Sequence, residues 1–139
     1  MSDIDLTGSC LCGSVHYSLS GTATAFNHCH CQRCRKATGT GHATNILLKV
    51  ASMDWTSGEE LLARYHVPDA ERFATVFCRN CGSLLPRLSP DGRFAVVPAG
   101  SMDSDPGIRP ERWIFRESRT AWCCPDDDIP AFDRYPPAS

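Results

Sequence analysis

Apolar residues along this chain recur at every second position in several short stretches, the period of a strand with one buried face. Val15, Tyr17 and Leu19 alternate with His16 and Ser18, while Phe73, Thr75 and Phe77 alternate with small residues and lead directly into Cys78. Further short apolar runs cover Ile46 to Val50, Leu84 to Leu88, Phe94 to Val97 and Trp113 to Phe115. Turn residues separate them, as at Pro90-Asp91-Gly92 and Asp105-Pro106-Gly107. One short helix is expected from about Gln32 to Thr38, ended by Gly39. Ten glycines and ten prolines leave little room for long helices. The pattern predicts a mostly β fold of short strands.

The 139 residues fit one domain, residues 1–139, with an acidic and then Pro-rich tail over 125–139 expected to lie on the surface. A net charge of −2 gives no general attraction to nucleic acid or to an anionic membrane, so neither is expected as a partner. The first residues contain no basic segment followed by an apolar one, and no apolar run approaches membrane-spanning length. A cytoplasmic, reducing setting is therefore expected. There, nine cysteines point to metal binding more than to a disulfide framework.

Seven of those cysteines fall into three clusters: Cys10-Leu-Cys12-Gly13, Cys29-His-Cys31-Gln-Arg-Cys34 and Cys78-Arg-Asn-Cys81-Gly82. Tetrahedral zinc with Zn–S near 2.3 Å needs its sulfurs about 3.7 Å apart. Neighbouring same-face residues on a flat strand are about 6.6 Å apart, so a C-x-C pair needs a bend, which Gly13 permits. In C-x-x-C-G, glycine allows a positive φ that turns backbone amides towards the thiolates. Two such half-sites, Cys10 with Cys12 and Cys78 with Cys81, would make a closed four-thiolate zinc site. The alternative is two unrelated buried pairs.

The middle cluster offers three thiolates within six residues, Cys29, Cys31 and Cys34. Three protein ligands leave a fourth position open, as at catalytic zinc. The competing reading is a second closed site completed by His28 or His30. Arg35 and Lys36 follow Cys34 directly and could offset negative charge or hold an anionic ligand.

The order G-S-C-L-C-G-S-V-H-Y, then H-C-H-C-Q-R-C-R-K-A-T-G, then F-C-R-N-C-G-S-L-L-P resembles the glutathione-dependent formaldehyde-activating enzyme family, which includes centromere protein V-like proteins. The resemblance covers about residues 8–122. It implies the Mss4-like fold, a zinc-tied assembly of small antiparallel sheets. It also implies two zinc ions per chain, a structural one on Cys10, Cys12, Cys78 and Cys81 and a second, sometimes absent, on Cys29, Cys31 and Cys34. Members are described as carbon–sulfur lyases assigned to S-hydroxymethylglutathione synthesis. This chain departs from the pattern at Trp113, where members usually carry histidine, and at His66-Val67-Pro68-Asp69, which reads as an insertion.

The resulting expectation is a zinc-dependent carbon–sulfur lyase acting on a thiol–aldehyde adduct. Its partner would be a small thiol such as glutathione, with a carboxylate met by Arg35 or Lys36. The alternative is a non-catalytic zinc module that binds a small thiol or a protein. Hemithioacetals form readily without a catalyst, and the sequence shows no evident general base. Trp113 and Trp122 are expected to fill the core, the alternative being that they line a pocket beside the second zinc. Cys123 and Cys124 are expected to be ordinary residues, and His16 and His42 to be solvated.

Overall fold

The computed structural model describes residues 1–124 and 128–138. Among them, the alternation read from the sequence becomes nine strands in two sheets. β1 (Ser2–Ser9), β2 (His16–Cys29), β3 (Ala43–Ser57), β7 (Arg87–Leu88) and β8 (Phe94–Pro98) form the larger sheet in the order β1-β2-β3-β8-β7. These neighbours are antiparallel, whereas β9 (Arg112–Ile114) runs parallel to the last residues of β2, with Cys29 opposite Ile114. The smaller antiparallel sheet is β4 (Leu62–His66), β5 (Ala74–Cys78) and β6 (Leu84–Leu85). The fold is mostly β, as the pattern predicts.

The helix α1 occupies Gln32–Thr38, and both of its ends follow from residue type. Cys31 caps the start, its sulfur accepting the Cys34 N–H at 3.3 Å, and Gly39 ends it at φ 72° with its N–H donated to the Arg35 carbonyl.

Four expectations change. β2 and β3 are 14 and 15 residues long rather than short. The middle of β2 holds Gly21, Ala23 and Ala25, residues too small to register as an apolar run, and bulges at Ser20/Gly21 and Ala23/Ala25 bend the pair. Gly21 is required there, because a side chain would run into the Lys49 carbonyl of β3. The run Leu84 to Leu88 is split at buried Pro86, where the chain leaves one sheet for the other. In β5 the buried positions are Ala74, Val76 and Cys78, whereas the larger Phe73 and Phe77 of the opposite alternation are only half-buried. Finally, Trp113 and Trp122 are 42% and 66% exposed, so neither fills the core.

The core joins Leu6, Val15, Tyr17, Leu19, Ile46, Leu48 and Val97 of the larger sheet and its flanking turn to Val76, Cys78 and Leu85 of the smaller one. Arg87 strengthens the join by donating to the Ala74 carbonyl across the two sheets. No helix among the described residues is long and apolar enough to cross a membrane. Residues 128–138 form no helix or strand and are exposed; the acidic run predicted for the tail lies partly outside the described residues.

Tyr17 is buried, with its hydroxyl 2.8 Å from the Ser101 hydroxyl, and burial pushes its pKa up to about 12. The fold keeps the phenol neutral, so between pH of about 10 and 12 the folded chain retains a proton that the unfolded chain releases. Stability should therefore fall with rising pH across that window, by roughly 1.4 kcal/mol per unit from this group. Denaturation midpoints of wild type and Tyr17→Phe should diverge accordingly, with the wild type losing stability more steeply. Parallel curves would show that Tyr17 is not responsible.

Candidate metal centres

The first centre lies where the two sheets meet. Cys10 follows β1 and Cys12 sits in the turn before β2, while Cys78 ends β5 and Cys81 follows in the turn before β6. Gly13 and Gly82 both have φ of 79°, the left-handed conformation the two motifs require. Each turn is closed locally, by Gly13 N–H to the Cys10 carbonyl and Gly82 N–H to the Cys78 carbonyl. The four sulfurs lie within 4.8 Å of one another. Cys10 and Cys12 sulfurs are 3.6 Å apart and those of Cys12 and Cys78 are 3.9 Å apart. Those spacings match the edge of a tetrahedron of thiolates around zinc, about 3.7 Å.

The surroundings favour thiolates. The Val15 N–H points at Cys10 sulfur at 3.3 Å, and the Asn80 amide donates to Cys12 sulfur at 3.3 Å. The Ser83 hydroxyl and backbone hold the Cys81 thiol down to about 5, and Ser14 with Asn80 lowers Cys12 to about 7. Cys78 has no exposed surface, and burial pushes its thiol up, against the opposing pull of the Cys81 and Asn80 backbone N–H groups.

The second centre is local. Cys29 ends β2, Cys31 caps α1, and Cys34 sits in the first turn of that helix, so a strand end and a helix start bring three sulfurs within 4.8 Å of one another. Neither His28 nor His30 belongs to this donor group. Burial raises the Cys29 and Cys34 thiols. Burial acts in the same sense on Cys31, but hydrogen bonds from the Cys34 and Arg33 backbone and its neighbouring thiols outweigh it, and the net shift is downward. Ala43, Phe73 and Ile114 pack around the three. Two soft-donor clusters, one of four thiols and one of three, are each able to hold a metal ion, and the sulfur donors suit zinc.

Cys34 opens onto a groove of about 750 Å³ that reaches Cys10 at its other end. On its α1 side the groove is lined by Cys34, Ala37 and Thr38; Arg35 and Lys36 are not among its lining residues. The cation that lines it is Arg87, half-buried, with its guanidinium 5.3 Å from the centre of the Phe73 ring. His42 also lines the groove. It is half-buried rather than fully solvated, and its ring meets those of His28 at 4.7 Å and Trp113 at 5.1 Å. Trp113 further packs on His28 at 4.3 Å and His30 at 4.9 Å, so the departure from histidine places an indole against three imidazoles. His16 is exposed on β2, as its polar position suggests. The segment His66-Val67-Pro68-Asp69 leads from the end of β4 into the turn before β5, closed by Val67 N–H to the Phe73 carbonyl.

Sequence reasoning missed Arg87 and the groove. Arg87 and Cys34 are far apart along the chain, and only the pairing of β7 with β8 brings them to one groove. Cys123 and Cys124, expected to be ordinary residues, are joined to each other as a disulfide.

A fold of two β sheets carrying thiol clusters of four and three defines a protein equipped for soft metal ions. The chain belongs to the glutathione-dependent formaldehyde-activating enzyme family, whose profile matches residues 5–118. A Halomonas elongata protein provisionally named a glutathione-dependent formaldehyde-activating enzyme is 34% identical, with 89% of this chain and 91% of that protein covered. A crystal structure of a Rhodobacter sphaeroides protein superposes with a TM-score of 0.56 at 20% identity, covering 78% of this chain and 99% of that one, and supports the fold alone.

Proposed function

We propose that this protein is a zinc-dependent carbon–sulfur lyase that acts on the adduct of a glutathione-like thiol and a small aldehyde. Cys10, Cys12, Cys78 and Cys81 hold a structural zinc, and Cys29, Cys31 and Cys34 hold a second. The observation that carries this reading is the three-thiol cluster, which opens through Cys34 onto a groove containing one half-buried cation, Arg87. Bound by three thiolates, zinc supplies a fourth position with affinity for a substrate sulfur.

The chain's own residues supply the rest. Arg87 offers its guanidinium to a substrate carboxylate, and the Phe73 ring against it limits where that group can sit. Arg35 and Lys36 act on α1 outside the groove lining, on parts of a ligand that extend beyond it. In the cleavage direction the hydroxyl of the adduct loses its proton, the C–S bond breaks, and the products are a thiolate and the free aldehyde. His42 is the imidazole placed in the groove to accept that proton. The setting is cytoplasmic, where thiols stay reduced.

Titration calorimetry of the zinc-loaded protein tests the reading, with glutathione compared against its S-methyl form. Glutathione should bind and the thioether should bind much more weakly, because methylation blocks the sulfur that meets the ion. Equal binding of the two would overturn sulfur contact. Binding of glutathione without faster aldehyde release from its adduct would leave a non-catalytic thiol-binding module.

A further inference from the structure

A third donor group lies outside both centres. The sulfurs of Cys123 and Cys124 and a ring nitrogen of His30 lie within 4.8 Å of one another. His30 is completely buried, and its Nδ1 is 3.1 Å from the Gly41 carbonyl. A carbonyl can only accept, so Nδ1 carries the proton and Nε2 keeps a free lone pair. Nε2 is buried without any hydrogen-bond partner among the described residues. An imidazole tied through one nitrogen to a backbone carbonyl, with the other presented bare, is the usual arrangement of a metal-ligating histidine.

Cys123 rests against the same turn as the imidazole. Its sulfur seats directly against Gly41, where any side chain would collide with it, so the residue that orients His30 also positions Cys123. Thr120, whose hydroxyl is likewise buried and unpartnered among the described residues, receives the Cys123 N–H on its carbonyl. A cleft of about 500 Å³, lined by Arg116, Glu117, Arg119, Thr120, Ala121 and Cys123, brings solvent to Cys123, while His30 lies behind it and is not part of its lining. Cys124 is exposed.

From this geometry we propose that Cys123, Cys124 and His30 form a third metal site, which takes a thiophilic divalent cation once the cysteines are in the dithiol state. Two molecules of a small thiol open the disulfide by exchange: the Cys123–Cys124 S–S bond breaks, a new S–S bond joins the two small thiols, and each cysteine gains one proton. Two electrons move from the small thiols to the cysteines. The cation then displaces both protons, and the two thiolates neutralise its charge while Nε2 supplies the third donor. With the cysteines joined, the site is closed to the cation.

Cadmium is the probe. The full-length chain, reduced with a phosphine that is then removed under anaerobic conditions, should bind one more equivalent than reduced C123S/C124S and one more than the unreduced wild type. That difference does not depend on how many ions the other seven cysteines take, so it stands or falls apart from the proposed lyase. In wild type carrying nitrogen-15 histidine and cadmium-113, one histidine ring nitrogen should show scalar coupling to cadmium, absent in C123S/C124S. Equal cadmium contents in reduced wild type and C123S/C124S would overturn the site. An extra equivalent with no coupled histidine would remove His30 from it and overturn the three-donor assignment.

Discussion

Cys78→Ser is expected to yield a chain that neither holds metal at the proposed four-thiol site nor folds cooperatively. The substitution barely changes volume, so packing alone would predict a mild effect at this completely buried position. The thiol, however, is one of four on which the junction of the two sheets converges. Metal binding at such sites is worth on the order of 10 kcal/mol or more, comparable to the whole stability of an ordinary domain. Zinc content by elemental analysis and thermal unfolding by circular dichroism would check it. Soluble protein that unfolds cooperatively with an unchanged zinc content would defeat the assignment.

Cys34→Ser should behave in the opposite way, keeping the fold and losing the proposed lyase activity. All three sulfurs of its cluster come from one stretch of six residues, so a metal held there ties no distant elements together, and serine keeps most of the volume that packs against Ala43, Phe73 and Ile114. The Cys34 side chain does not form the helix cap, which Cys31 provides, and its backbone N–H remains available to donate. The melting temperature should stay within about 5 °C of wild type. Release of formaldehyde from S-hydroxymethylglutathione should fall to the uncatalysed rate, since two thiolates hold zinc poorly and Cys34 is the member of the trio that lines the groove. Retention of full activity with a wild-type metal content would remove this cluster from the chemistry.

The grouping of seven cysteines into sets of four and three was legible from residue spacing. The knuckle glycines Gly13 and Gly82 and the helix stop at Gly39 each depend on local backbone geometry, and local geometry is what short motifs encode. The strand lengths were not legible, because Gly21, Ala23 and Ala25 pair with β3 through backbone bonds and leave no apolar signature. Nor was the face of β5 that enters the core. Phe73 and Phe77 carry the stronger apolar signal, yet Cys78, turned into the four-thiol cluster, sets the phase and draws Ala74 and Val76 inward with it. Arg87, Trp113 and Cys123 acquire their neighbours only through tertiary contacts. Separations along the chain of this size leave no trace in periodicity.

The unequal reach of the two clusters has a consequence for biosynthesis. Cys12 and Cys78 are 66 residues apart, whereas the trio spans six. Closing the longer loop costs about 2 kcal/mol more in chain entropy than closing the shorter one. On a ribosome, residues 29–34 emerge with a complete set of three thiols while Cys78 is still unsynthesised, and Cys10 and Cys12 wait as an incomplete pair. On the proposed two-zinc assignment, a nascent chain would therefore offer its three-thiol segment to metal first, and the order of binding would run opposite to the order in which the fold depends on the two clusters.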